Sequence, residues 1–177
     1  MKSAVLVIDV QNFLFESTPQ PFEKNEVLTR INQITNWARH QHIPVIFIQH
    51  EQAGTPMEYG CEGWQLQSSL HVEDRDHLVR KTTPDSFLRT SLTALLQELG
   101  VAHLYICGYA TEFCVDTTTR RAAGLGYPVT LVANAHTTHD KAHATGEQIR
   151  AHHNATLPNI SSFGVKLEAI TAEILVS

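Results

Sequence analysis

A chain of 177 residues is the length of one domain at roughly 100–200 residues each, and its 42% hydrophobic and 18% charged residues can build a core, which excludes a disordered polymer. Thirteen Lys and Arg against eighteen Asp and Glu leave a formal charge of -5, so nothing concentrates nucleic acid or anionic lipid on its surface and the expected partner is a small molecule. No apolar run approaches the ~20 residues of a bilayer crossing or forms a signal-peptide core, which makes the cytoplasm the expected compartment.

In chain order, Ala4, Val5, Leu6, Val7 and Ile8 form an unbroken aliphatic run, the pattern of a strand buried on both faces, closed by Asp9. Val27, Leu28, Ile31, Ile34, Trp37 and Ala38 recur at helical spacing, and residues 43–48 supply a second buried strand. From 49 to 77 the periodicity fails and glycines punctuate a polar stretch, a loop long enough to cover a site. Residues 78–81 read as a short strand ending in Lys81, and Leu88, Leu92, Leu95, Leu96 and Leu99 as a helix ended by Gly100. A third clear strand, 103–107, is followed by the turn 108–111 and a helix over 112–125; the next strand spans 129–133. Asp140 is placed to cap a helix reaching about His153, and 163–175 is a last strand or helix of undecided type. Alternating strands and helices predict an α/β fold, a three-layer sandwich with a mainly parallel sheet and helices on both sides, as a single domain over 1–177.

In such sheets ligands gather beyond the carboxyl ends of strands. Three different reactive groups stand there: the Asp9 carboxylate, the Lys81 amine and the Cys114 thiol, the last in the first turn of a helix. A helix N-terminus and a nearby ammonium are expected to lower the thiol pKa into about 3.5–7.5, making it a nucleophile with the carboxylate as its proton acceptor. Taken singly, each has a plainer reading, as a cap, a solvated cation or a core residue. Three cysteines without a C-x-x-C pair read as free thiols, with Cys107 in the core and Cys61 an exposed or interface residue.

Residues 7–13 (Val-Ile-Asp-Val-Gln-Asn-Phe), Arg80-Lys81 with Asp85-Ser86-Phe87, and Gly108-Tyr109-Ala110-Thr111-Glu112-Phe113-Cys114-Val115-Asp116 together resemble the isochorismatase-like cysteine hydrolases. Gly126-Tyr127-Pro128-Val129 and Asn134-Ala135-His136 extend the resemblance through nearly the whole chain. It implies a Rossmann-like sheet, an Asp-Lys-Cys triad of Asp9, Lys81 and Cys114, a cis peptide between Tyr109 and Ala110, and an oxyanion hole from the backbone N–H groups of Ala110 and Cys114. The implied function is hydrolysis of a C–N bond, amide or ureido, of a small molecule through a thioester. Vinyl-ether cleavage, or a silent binding module on the same fold, are the alternatives. A homodimer or homotetramer is the implied assembly.

Gln11, Phe13, His50, Trp64, Phe87, Tyr109, Thr111 and Phe113 are the expected walls of a substrate pocket. No metal and no cofactor is expected, because nicotinamidases carry Asp-x-His after the second strand where this chain has Gln49-His50-Glu51. Among eleven histidines, His136, His139 and His143 have spacings that would share a helical face, yet a strand-to-helix turn between them favours solvated or pocket-lining roles over a metal site. His152 and His153 read as surface or contact residues, and Asn134 stands where many of these hydrolases have aspartate.

Overall fold

The run after Lys2 forms strand β1 (Ser3–Ile8). Its alternation sends Ala4, Leu6 and Ile8 into one core and Val5 and Val7 into another, every one fully buried, which is why the sequence there has no polar phase. The computed structural model describes residues 2–177 and places β1 at the centre of a six-stranded sheet with all neighbours parallel. The other strands are β2 (Val45–His50), β3 (His77–Lys81), β4 (His103–Tyr109), β5 (Val129–Thr137) and β6 (Leu167–Ile170), in the order β3-β2-β1-β4-β5-β6.

Helices α1 (Asn12–Glu16), α2 (Lys24–His40), α3 (Leu92–Glu98), α4 (Asp116–Gly124), α5 (Gly146–Thr156) and α6 (Ala172–Leu175) complete the sandwich. The stripe of α2, Val27, Leu28, Ile31, Ile34 and Ala38, packs with Val5, Val7, Phe47 and Val132, joined by Ala172 of α6. Leu92 and Leu96 of α3 and Ala122 and Ala123 of α4 cover the other face. The chain steps outward from β1 to β2 and β3, then returns to the far side of β1 as β4. The connections on the two sides therefore leave the sheet in opposite directions, opening a crevice beyond the carboxyl ends of β1 and β4.

Several boundaries differ from the sequence expectation. The third helix begins only at Leu92; Leu88 lies exposed in an irregular stretch where Arg89 adopts a left-handed φ of 56°. The helix expected near Asp140 begins at Gly146, because Thr145 and Gln148 form a reciprocal capping box, while Asp140 accepts the Gly146 N–H at 2.7 Å across the preceding turn. Strand β5 runs on to Thr137, and the undecided final segment is a strand followed by one short helical turn. Asn134 thereby points away from the crevice, binding Glu173 and the Ala172 N–H, and so fastens α6 to the sheet.

The long connection between β2 and β3 is bound to the body at both ends. Gln11 forms an antiparallel bridge with Leu66, and the Gln67 N–H donates to the Val10 carbonyl at 2.9 Å. Farther along, the Arg39 guanidinium grips Asp76 through Nε and Nη2, at 3.1 and 2.6 Å, and donates to the His71 carbonyl at 2.7 Å.

Candidate active site

Asp9 follows β1 in the left-handed region, φ 49°, a conformation that costs a non-glycine residue energy and turns its side chain out of the strand's alternation. Its N–H remains in the ladder, donating to the Ile48 carbonyl at 2.8 Å. Next to it, Gly108 of β4 has φ 116°, and a Cβ there would lie 2.1 Å from the Ile8 carbonyl oxygen, so only glycine lets β4 come this close to β1. The peptide that follows, Tyr109–Ala110, is cis. Thr111–Val115 then form a π-helical turn, closed by the Val115 N–H donating five residues back to the Ala110 carbonyl at 3.1 Å. This turn carries Cys114 into the crevice.

Lys81 ends β3, and its side chain is completely buried. Its Nζ donates to Asp9 Oδ2 at 2.7 Å, to the Thr83 carbonyl at 3.1 Å and to Cys114 Sγ at 3.2 Å, and lies 3.2 Å from His50 Nδ1. Segments 72 and 33 residues apart in sequence thus converge on one ammonium. Burial by itself would lower the Lys81 pKa, but the Asp9 charge above all, with hydrogen bonds to Asp9 and the Cys114 sulfur, holds it above the ordinary amine range, so the residue stays protonated. Asp9 Oδ1 is buried with no hydrogen-bond partner among the described residues, an acceptor left open beside the thiol.

The thiol departs from expectation. Burial, reinforced by the Asp9 charge and only partly offset by Lys81, pushes the Cys114 pKa up to about 12 rather than down. The group is a neutral thiol at rest, and a thiolate forms only if its proton is taken. Cys107 is likewise pushed up to about 12, by burial alone within the core, and Cys61 is exposed.

Asp9, His50 and Cys114 each place a donor atom within 4.8 Å of the others, a set able to hold a metal ion. The centre of that set is taken by a cation already, the Lys81 ammonium. The residues flanking His50 are also committed: Gln49 donates to the Trp64 carbonyl at 3.1 Å, and Glu51 is held by Arg80 in a two-pronged ion pair at 2.7 and 2.9 Å.

Residues 3–160 match the family model described as the isochorismatase domain. The chain belongs to the isochorismatase family. It is 37% identical over 138 residues to a streptothricin hydrolase of Streptomyces noursei, covering 77% of this chain and 50% of that protein. It is 30% identical over 175 residues to nicotinamidase 3 of Arabidopsis thaliana, covering 90% and 80%. The crystal structure of an isochorismatase family protein superposes with a TM-score of 0.88 at 37% identity, covering 96% of this chain and 98% of that one. The chain spans about half the length of the streptothricin hydrolases it matches, 50% and 57%.

Within this isochorismatase fold the expected pocket residues separate into two groups. Gln11 is fully buried and its amide is consumed: Nε2 donates to the His50 and Trp64 carbonyls at 2.9 and 2.8 Å, and Oε1 accepts the His50 N–H at 2.9 Å. Phe87 stacks on Tyr127 inside the core, and Thr111 is buried with its hydroxyl 2.8 Å from His136 Nδ1. These three serve the framework instead of lining an open pocket. Trp64 is buried edge-on against Tyr59, which in turn carries the Arg80 guanidinium 3.6 Å above its ring. Phe13 and Phe113 are exposed, and Tyr109 and His50 are partly buried at the crevice.

Two partners escaped the sequence reading. The Thr83 carbonyl, a backbone acceptor with no side-chain signature, takes a proton of Lys81. His139 Nδ1 lies 2.7 Å from the Tyr109 hydroxyl, a pairing across 30 residues that no local pattern announces. The three histidines suspected of sharing a face do not. His136 lies in β5 and bridges Thr111 to Asn154, His139 meets Tyr109, and His143 lies beyond the strand in an irregular turn.

Proposed function

We propose that this protein is a cysteine hydrolase that cleaves a C–N bond, amide or ureido, of a small molecule. The observation that carries the reading is the Lys81 ammonium shared between the Asp9 carboxylate, 2.7 Å, and the Cys114 sulfur, 3.2 Å. A cation so placed stabilises the thiolate that forms when Asp9 accepts the Cys114 proton, and it keeps the carboxylate aimed. With a thiol pKa of about 12, this transfer has to accompany attack.

The sulfur bonds to the carbonyl carbon, and the carbonyl π pair moves to oxygen. The backbone N–H groups of Ala110 and Cys114 hold that oxyanion, each donor worth roughly 2.7–4 kcal/mol in comparable sites. Collapse breaks the C–N bond, and the nitrogen leaves with the proton that Asp9 had taken. The thioester left on Cys114 is cleaved by water, whose proton passes to the restored Asp9 carboxylate. The carboxylic or carbamic acid departs and the thiol is regenerated. Names among the relatives, nicotinamidase above all, support amides as the substrate class. The exposed rings of Phe13 and Phe113, the latter next to Cys114 in sequence, suit a flat or small apolar acyl group.

The test is a panel of small amides and ureides, nicotinamide included, with acid-quenched mass spectrometry to trap the acyl group. Cys114→Ala is expected to lose more than ~10³-fold in turnover and to trap nothing. A variant that retained the wild-type rate would overturn the nucleophile.

A further inference from the structure

The Lys81 ammonium has three protons and four neighbours able to accept them: Asp9 Oδ2, Thr83 O, Cys114 Sγ and His50 Nδ1. Two of the four, Thr83 O and His50 Nδ1, have no part in the chemistry described above; of these His50 is the one that contributes a side chain, and its placement is unusually well determined. Both its backbone groups are bound by the single side chain of Gln11, at 2.9 Å each, so the end of β2 is clamped to the end of β1 beside Asp9. Its imidazole then lies within 4.8 Å of both the Asp9 carboxylate and the Cys114 sulfur.

We propose that His50 is a positioning residue for the reaction: neutral, with its proton on Nε2, it accepts a Lys81 proton at Nδ1 and thereby holds the ammonium between Asp9 and Cys114. The proposal rests on the cysteine-hydrolase reading of this site. A charged imidazole could not do this, because it would offer no lone pair and would set a second cation 3.2 Å from the first. The groups that act on His50 are Lys81 from β3, the Thr83 backbone just after β3, which hydrogen-bonds the ring, Asp9 after β1, Cys114 from the π-helical turn, and its neighbour Glu51, which is itself paired with Arg80. Burial first, then the Lys81 charge, hold its pKa below the ordinary imidazole value, outweighing Asp9, the hydrogen bond with the Thr83 backbone and Glu51, so the neutral form persists through the neutral range.

Two measurements test this. Long-range 1H–15N spectra of the histidine side chains, which need no substrate, should show His50 neutral and protonated at Nε2 at pH 7; an Nδ1–H tautomer or an imidazolium would overturn the proposal. The second uses p-nitrophenyl acetate as a generic acyl donor, recording the acylation burst over the pH range in which intrinsic fluorescence reports an intact fold. His50→Ala should slow acylation on the order of 100-fold, the scale of a small misplacement of reacting groups. His50→Asn puts a carbonyl oxygen close to the position of Nδ1 but cannot be protonated. It should recover most of the loss, and the fall of the rate in acid should move to lower pH. If His50→Asn is as slow as His50→Ala, or if its acid fall coincides with that of wild type, the positioning role is wrong. Cys114→Ala separates the two ideas: a burst that survives it refutes the nucleophile, whereas a burst lost in Cys114→Ala but unchanged in His50→Ala refutes only the role of His50.

Discussion

At the scale of single residues, the thiol and the carboxylate control each other. Because the Asp9 charge helps to raise the Cys114 pKa, Asp9→Asn should lower it while removing the base that the reaction needs. Iodoacetamide labelling of Cys114, read by peptide mass spectrometry against Cys61 in the same digest, should climb with pH beyond the range of an ordinary thiol in the wild type. In Asp9→Asn the curve should shift to lower pH although amide turnover is lost. A shift in the opposite direction would mean that the carboxylate does not repel the thiolate. That Asp9, Lys81 and Cys114 would meet was legible from their strand-end positions and from three separated motifs, but the protonation state of the sulfur was not. It depends on how many atoms bury it, and sequence spacing carries no account of that. Gln11 shows the same limit, since a polar residue near a site reads as a ligand contact until its amide is found to be fully bonded to backbone.

Among the elements, the decisive join is that between β1 and β4. Their register pairs Ile8 with Gly108, the last residue of the aliphatic run against the one residue there that has no Cβ. Gly108→Ala would meet the Ile8 carbonyl at 2.1 Å in a left-handed conformation, so both sterics and φ oppose it. We expect a loss of more than ~2 kcal/mol in urea unfolding, with activity lost even where the fold survives, since the π-helical turn begins three residues later. Wild-type stability in this variant would show that β4 can withdraw from β1 at no cost. Strand positions and helix faces follow from apolar periodicity, hence the close agreement there, whereas the order of the strands in the sheet had no sequence signal of its own. The start of α5 was misplaced and the π-helical form of the turn at Cys114 went unread, because they depend on a capping box and on a five-residue backbone bond, which leave little trace in hydrophobic pattern.

For the whole molecule, helix α5 is joined to the π-helical turn through a buried neutral histidine of β5. His136 accepts from or donates to Thr111 in the turn and Asn154 in α5, at 2.8 and 2.9 Å, and burial pushes its pKa down to about 4. A histidine that stays neutral in the folded state contributes stability that is complete above the unfolded value of 6.5 and is lost as pH falls from there toward about 4, where the loss levels off. The difference corresponds to about 3 kcal/mol at full loss. Urea unfolding at pH 7 and at pH 4.5 should therefore show a steeper decline for wild type than for His136→Gln, and parallel declines would remove this group as the cause. The order β3-β2-β1-β4-β5-β6 also bears on how the enzyme is made. A ribosome emits the chain from its N-terminus, so β1, β2 and β3, with Asp9 and Lys81, emerge before any residue of β4. Until then the central strand has one bare edge, and the acid and the amine have no sulfur beside them. The nascent chain thus gains the sulfur only after the strand that closes that bare edge has emerged, so the sheet and the site are completed by one stretch of chain.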